Sequence, residues 1–504
     1  MKTSVSGKCG ECVLCGKCNT PQAPDSLKRK EEMSAMVQGF RIDNEFKRKG
    51  GGVEYFGLSF DIGTTTVVGM LWNLVSGGAA GAKAESNPQA AHGADVISRI
   101  MFAEKSKDNL LLMQREIIEC LNRITGELIK SNGISPDSIC DVTIAGNTTM
   151  SHLVAGICPG QLARAPFTPA FYGAVRKDAA EFGLSVNPKA NVTILPNIAG
   201  HVGSDITAGI VAAGIMRKAG VYLMIDVGTN GEIVLCQDGK ALACSTAAGP
   251  AFEGASVYQG MRASEGAIER VDIRNGEVLL QTIGDFKASG LCGSGIIDAA
   301  AELFKAGLVE KTGRLINAEK AREKGIAEAL ASRLRDGKTG REFVLAYAGS
   351  VDDGADGARD DASGADDSAN GANDANDSAN GTEDVVITQN DIREVQLAKA
   401  AIRAGIKLML KEFGIDETSI EQIYIAGAFG NHIRPESAAG IGLIPDIGKE
   451  KIIYIGNAAG IGASMALLSA EAGKEVNEAA KTIRHIELAE DPLFQDTYLK
   501  AMAF

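Results

Sequence analysis

Apolar and polar positions divide the chain into stretches of different texture. From Glu54 to about Gly349, and again from Asp384 to Phe504, apolar runs of strand length alternate with segments whose apolar residues recur at helical spacing. That alternation predicts an α/β body. The stretch 351–384 is built from Asp, Ala, Gly, Ser and Asn with almost nothing to bury, so it reads as a disordered acidic insertion. It is expected to join strands at Glu342–Tyr347 and Asp384–Ile387 as an overgrown hairpin loop. Residues 21–53 are polar and basic and read as a linker, and residues 1–20 form a Cys-rich segment.

Within the α/β body one pattern occurs twice. Leu58-Ser59-Phe60-Asp61-Ile62-Gly63-Thr64-Thr65-Thr66 runs into the apolar stretch Val67 to Leu71, and Leu223-Met224-Ile225-Asp226-Val227-Gly228-Thr229-Asn230-Gly231 runs into Glu232-Ile233-Val234-Leu235. Each reads as strand, Gly-centred turn, strand. The copies lie 165 residues apart, which predicts duplicated lobes, 54–220 and 221–504, each opening on a β-hairpin. Ile423 to Gly430 reads as a strand entering a small-residue turn. Ser289 to Gly295 and Gly456 to Gly462 open predicted helices at Ile296–Phe304 and Ala463–Leu468. Small residues at those starts permit close helix-to-helix contact and suit a hinge.

Charge adds a restriction. Of the net charge of −13, the stretch 351–384 accounts for −10, with eleven acids against Arg359. The rest is nearly neutral, which gives no electrostatic case for nucleic acid. No apolar run is long enough to predict a membrane span, and Met1 to Lys8 lead into cysteines rather than a signal segment, so the protein reads as cytoplasmic. Cys120, Cys140, Cys158, Cys236, Cys244 and Cys292 are scattered through apolar stretches and are expected as buried reduced thiols.

The paired loops suit a nucleoside triphosphate. Such a ligand needs backbone N–H donors, hydroxyl donors and a carboxylate for hydrated Mg²⁺. Gly63 and Gly228 are expected to turn at positive φ and let phosphate approach. Thr64, Thr65, Thr66, Thr229 and Asn230 line the rims, and Asp61 and Asp226 end strands where they can serve Mg²⁺ directly or through water. A single Asp-x-Gly-Thr could be hairpin chemistry alone; two copies in matching contexts argue for ATP. Gly427, Ala428 and Gly430 would let backbone lie flat against a purine. Asp205, before a helix at Ile206–Ala213, is an N-cap or a water-orienting carboxylate.

Cys9-x-x-Cys12-x-x-Cys15-x-x-Cys18 calls for a metal centre rather than disulfides. The spacing matches bacterial ferredoxins in part, pointing to an iron–sulfur cluster of 4Fe–4S type, with a Cys₄ zinc site as the alternative. The histidines show no metal-ligand spacing.

In this order the loops resemble the phosphate and adenosine elements of the acetate and sugar kinase, Hsp70 and actin superfamily. That resemblance implies an actin-like ATPase fold, two RNase-H-like lobes with ATP and Mg²⁺ in a cleft. Further strings resemble one branch, the reductive activators of corrinoid proteins. They are Asn87-Pro88-Gln89 with Gly93-Ala94-Asp95-Val96-Ile97-Ser98-Arg99-Ile100, Ala145-Gly146-Asn147-Thr148-Thr149-Met150, Leu195-Pro196-Asn197-Ile198-Ala199-Gly200 with Gly203-Ser204-Asp205, Gly249-Pro250-Ala251-Phe252-Glu253-Gly254, and Ile387 to Gln396. The resemblance implies ATP-dependent return of cob(II)alamin to cob(I)alamin on a corrinoid protein, with an external low-potential reductant or ferredoxin as electron source, and is compatible with a homodimer. The chain departs from the family in its first 53 residues, too few for the usual 2Fe–2S ferredoxin domain and a further domain. Taken singly, Asn147 and Asn197 also read as turn caps, and Arg99 and Arg393 as surface charges or partner contacts. A small-molecule kinase, or an activator of another low-potential metalloenzyme, would share the fold; Cys292 stands alone where a dehydratase activator would bridge a cluster.

Overall fold

Period-two alternation in the first strand sets the architecture. In β1 (Phe56–Ile62), Phe56, Leu58, Phe60 and Ile62 enter one apolar core, and Gly57, Ser59 and Asp61 take the opposite face. The computed structural model describes residues 54–348, 383–427 and 433–504. The four clustered cysteines, the linker, nearly all of the acidic insertion, and Ala428 and Gly430 lie outside them.

The chain forms two compact units. The first contains residues up to 253 together with 396–504, and the second contains 254–395. In the first unit β1 pairs antiparallel with β2 (Thr66–Asn73), which pairs with β3 (Ala79–Ser86). Two helices follow, α1 (Val96–Glu104) and α2 (Lys107–Asn132). The amphipathic α2 is capped by Ser106 and ended by Gly133 at φ 62, and it lays Met113, Ile117, Leu121, Ile124 and Leu128 on the Phe60 side of the sheet. Then come β4 (Ile139–Gly146), α3 (Thr148–Ala155), β5 (Val175–Asp178), β6 (Asn191–Ile194) and α4 (Ser204–Ala213), giving a sheet of order β3-β2-β1-β4-β6-β5.

The pattern restarts with β7 (Val221–Val227), β8 (Gly231–Gln237) and β9 (Lys240–Thr246). The second unit then contributes β10 (Ala267–Arg274), β11 (Glu277–Thr282), β12 (Gly290–Leu291), α5 (Gly293–Lys305), β13 (Leu334–Gly337), β14 (Gly340–Ala346) and β15 (Val385–Thr388), in two three-stranded sheets. β14 and β15 pair antiparallel, so the acidic insertion does connect two hairpin strands. α5 starts earlier than the sequence pattern suggests. A Cβ on Gly295 would meet the Ile268 carbonyl oxygen at 2.1 Å, so the close approach there is helix to strand within this unit, rather than the helix-to-helix contact expected.

After α6 (Gln389–Phe413) come β16 (Ile420–Ala426), β17 (Ile452–Gly456), α7 (Ala458–Leu468), α8 (Ala470–Thr482) and β18 (Arg484–His485). The second large sheet has the order β17-β16-β7-β8-β9-β18. Its run β9-β8-β7-β16-β17 matches β3-β2-β1-β4-β6 strand for strand, an antiparallel meander followed by two parallel strands. The duplication read from the two loops is therefore a duplication of topology.

Between the two large sheets α4 and α7 cross. α7 begins at Ala458, five residues before the expected start, with Asn457 as its N-cap. A Cβ on Gly462 would lie 1.9 Å from the Ala208 carbonyl oxygen of α4, and one on Gly209 would lie 3.5 Å from the Ala458 Cβ. Only glycine at 462 permits this crossing. Each helix covers the sheet face that bears the loop carboxylates. Ile461, Met465 and Leu467 of α7 pack with Val68, Met70 and Trp72, and Ile206 and Ile210 of α4 pack with Tyr222 and Met224. Among the six described cysteines Cys120, Cys236, Cys244 and Cys292 are buried and Cys140 is half-buried, and none of the six is in a disulfide. Cys158 is exposed, against expectation. Arg99 is also a correction, since it is 1% exposed and core-facing, whereas Arg393 is exposed as read.

Candidate functional site

Alternation along β1 and β7 carries the two loop carboxylates onto the faces covered by the crossing helices. Asp61 follows Gly57 and Ser59 along the α7 face, where the Ser59 and Ser464 hydroxyls meet at 2.8 Å. Asp226 follows Tyr222 and Met224 along the α4 face. Both helix N-termini therefore arrive beside the carboxylates, α7 bringing Asn457 and α4 bringing Asp205. Asp205 does not cap α4, because the N-cap is Gly203. It sits in the first turn, where its carboxylate accepts from the Ile206 N–H at 2.8 Å.

Four acids gather here. The fourth is Glu232, paired with Asp226 across the β7–β8 hairpin and accepting from the Ser245 hydroxyl at 3.1 Å. Burial pushes Asp61 up to about 7, and the charges of Asp205 and Asp226 push the same way, against a hydrogen bond from Asn457. Burial and Asp205 likewise raise Asp226 to about 7. Burial raises Asp205 to about 6, held down by backbone N–H donors at its helix start. Glu232 is raised well above the usual range by burial and then by Asp205 and Asp226. Buried carboxylates that raise one another in this way resist ionising together without a cation. Among the described residues no three His, Cys, Asp or Glu side chains converge to hold a bare ion. A hydrated divalent ion that brings its own waters and phosphate ligands fits that donor set, which is how Mg²⁺ is commonly held.

The loops are built differently from each other. Neither Gly63 nor Gly228 has the positive φ expected of it. Gly63 is required for another reason: its N–H donates to the Thr66 carbonyl at 2.9 Å, and a Cβ there would press on that same oxygen. Gly228 closes a shorter turn onto the Asn230 carbonyl at 3.0 Å. Positive φ appears instead at Gly427, φ 91, where a Cβ would lie 2.7 Å from Asp226 Oδ1. The proposed adenosine segment thus begins in contact with the carboxylate cluster.

Two asparagines fix the first loop. Asn87 donates its side-chain amide to the Gly63 carbonyl at 2.8 Å and its backbone N–H to the Thr65 carbonyl at 2.9 Å. Asn147 caps α3 through its Oδ1 and donates Nδ2 to Thr64 Oγ1 at 3.0 Å, leaving the Thr64 proton free for an incoming acceptor. Thr229 in the second loop donates to Glu253 Oε1 at 2.8 Å. Buried Arg99 reaches the Gly93 carbonyl at 2.9 Å and Met150 Sδ at 3.8 Å, the same sulfur that Asn87 touches. Sequence reading assigned no role to Asn87, Glu232, Glu253 or Asn457. Glu232 was findable, since hairpin pairing places it opposite Asp226; the others needed contacts between distant segments. Replacing Asn87 by alanine should raise the KM for Mg-ATP about tenfold through loss of loop rigidity, with kcat less affected, measured by steady-state ATPase kinetics.

A family model described as the RACo middle region matches residues 56–218. One described as the C-terminal domain of RACo, the ASKHA domain, matches residues 220–355 and 349–504. The corrinoid activation enzyme RamQ of Eubacterium limosum is 38% identical over 475 residues, covering 94% of this chain and 74% of its own length. The Co(II) methylated amine-specific corrinoid protein reductase of Methanosarcina barkeri is 25% identical over 347 residues, 64% of this chain and 53% of its own. A solved structure, the reductive activator for corrinoid, iron-sulfur protein, superposes with a TM-score of 0.73 at 37% identity, covering 90% of this chain and 67% of that one. With a duplicated actin-like body and family matches along nearly all of it, the chain belongs to the reductive activators of corrinoid proteins.

Proposed function

We propose that this protein binds and hydrolyses Mg-ATP between its two large sheets, and uses that cycle to drive the one-electron reduction of a corrinoid protein from cob(II)alamin to cob(I)alamin. The observation that carries the ATP reading is the cluster of Asp61, Asp205, Asp226 and Glu232 set between two Asp-x-Gly-Thr loops. The relatives' names, which concern corrinoid activation and Co(II) corrinoid reduction, support the acceptor. Asp61 and Asp226 would serve Mg²⁺, Asp205 would orient water, and Gly63 to Thr66 and Gly228 to Asn230 would hold phosphate. Gly427, with Ala428 and Gly430 beyond it, would take the adenosine. The lobes 54–220 and 221–504 would be the bodies whose closure the nucleotide biases. An electron moved uphill by ~100 mV costs about 2.3 kcal/mol, within what differential binding of two conformations supplies.

The electron comes from an external low-potential donor. Cys9, Cys12, Cys15 and Cys18 would carry a 4Fe–4S cluster on its route, with zinc as the alternative occupant. No described helix is long and apolar enough to cross a membrane. Anaerobic purification with iron, sulfide and zinc analysis, followed by mixing with a cob(II)alamin protein, a low-potential reductant and Mg-ATP, tests the scheme. The cob(II)alamin absorption should convert to that of cob(I)alamin only with ATP, releasing inorganic phosphate. Full metal loading with no ATP-dependent spectral change would overturn the activator reading, and zinc without iron would remove the direct electron-carrier role.

A further inference from the structure

The two loops hold their threonine hydroxyls in opposite ways. Thr64 of the first loop accepts from Asn147 Nδ2 at 3.0 Å, so its own proton stays available to an incoming oxygen. Thr229 of the second loop donates its proton to Glu253 Oε1 at 2.8 Å. A hydroxyl has a single proton, so a phosphate oxygen arriving at Thr229 meets a donor already engaged by a carboxylate. Local structure brings Glu253 there. Thr246, at the end of β9, donates its hydroxyl to the Gly231 carbonyl across the hairpin at 3.1 Å, so the chain leaves β9 beside the second loop. It then forms a short 3-10 turn, Pro250–Glu253, bracketed by Gly249 and Gly254, both at φ 78. Ala251 and Phe252 are buried and anchor the turn, and Glu253 returns to Thr229.

We propose that Glu253 is a positioning residue of the second loop, which holds the Thr229 proton and yields it to a phosphate oxygen when Mg-ATP binds, a role that rests on the Mg-ATP reading above. Only hydrogen bonds are exchanged: the bond from Thr229 to Glu253 breaks, one from Thr229 to phosphate forms, and the proton stays on Thr229. The bond lost on binding is regained when products leave. The sign of the effect separates this role from a brace. A residue that only rigidified the loop would lose nucleotide affinity when removed, whereas a competitor for the Thr229 proton would raise it.

In the full chain, calorimetric titration with Mg²⁺ and a non-hydrolysable ATP analogue should show Glu253→Ala binding about tenfold tighter than wild type. Glu253→Asp keeps the charge but falls one methylene short of Thr229, so it should bind about fivefold tighter, the remaining factor of about two being relief of charge repulsion. In a Thr229→Val background, Glu253→Ala should change affinity by no more than about twofold, because no proton is left to compete for. Weaker or unchanged binding for Glu253→Ala overturns the proposal, and so does a full tenfold gain without the Thr229 hydroxyl. Glu253→Asp matching wild type would mean that charge alone acts, and it decides the matter by itself should Glu253→Ala not fold. If wild type binds no Mg-nucleotide, the nucleotide reading fails and takes this inference with it.

Discussion

Asp226→Asn is expected to lower Mg-ATP turnover at least ~100-fold while making the nucleotide-free protein more stable at pH 8. The opposite signs have one cause. Asp226 stands among Asp61, Asp205 and Glu232, and burial with the neighbouring charge raises it to about 7. A folded-state value above the ordinary 3.8 means that the native protein holds the proton more tightly than the unfolded chain. The resulting stability is fully present below pH ~4 and is lost as pH rises through about 7. Asp61 follows the same course. A tenfold difference in proton affinity between the folded and unfolded chain is worth ~1.4 kcal/mol, but the acids titrate together, so one substitution should recover about 1–3 kcal/mol. Thermal melts between pH 6 and 8.5 in chelator should fall for wild type and flatten for Asp226→Asn. Mg²⁺ with ATP should flatten the wild-type curve as well, since the cation replaces the missing protons. A wild-type melting temperature independent of pH would remove the electrostatic account of the site.

Gly462→Ala is the second large effect, and its sign is informative. In an exposed helix interior the change would stabilise by about 1 kcal/mol. Here the added Cβ would lie 1.9 Å from the Ala208 carbonyl oxygen, a backbone atom that moves only if α4 moves. Forcing backbone apart in a packed crossing should cost about 2–4 kcal/mol net and reduce ATPase activity by tenfold or more. Gly126→Ala on α2 is the control, because a Cβ there meets nothing within 4 Å. It should stabilise by about 0.5–1 kcal/mol and leave activity unchanged. Urea denaturation of the two variants in parallel measures the contrast. A stabilising Gly462→Ala would show that the helices do not cross as described.

Mutation at the crossing and mutation at the carboxylates should thus converge on one function by different routes. Arg99 illustrates how such routes were hidden. In sequence it is a charged residue on a short helix, and a surface position was the natural expectation. The structure buries it beside Met150, and desolvation lowers its guanidinium below the usual arginine range, to about 10. Only the packing of α1 against the Asn87 and Met150 segments determines that. Cys158 errs in the other direction, an apolar-flanked thiol that ends on the surface.

The linear pattern by itself determined the strands, because period-two alternation and the Asp-Gly turns are local. It also determined the duplication, since each hairpin carries its own copy of the loop, and it singled out Asp61 and Asp226, which end strands close to glycine and threonine. What only the tertiary structure decided is which groups meet those carboxylates. Glu232 comes six residues after Asp226, but Asp205 and Asn457 arrive on the N-termini of two helices that are distant in sequence and cross through Gly462. Their proximity depends on a backbone contact that no local preference encodes. The same packing raises the carboxylates to about 7 and gives Gly427, rather than Gly63 or Gly228, the left-handed turn. The loops are local in the sequence; the carboxylates gathered between them are a property of the packed helices.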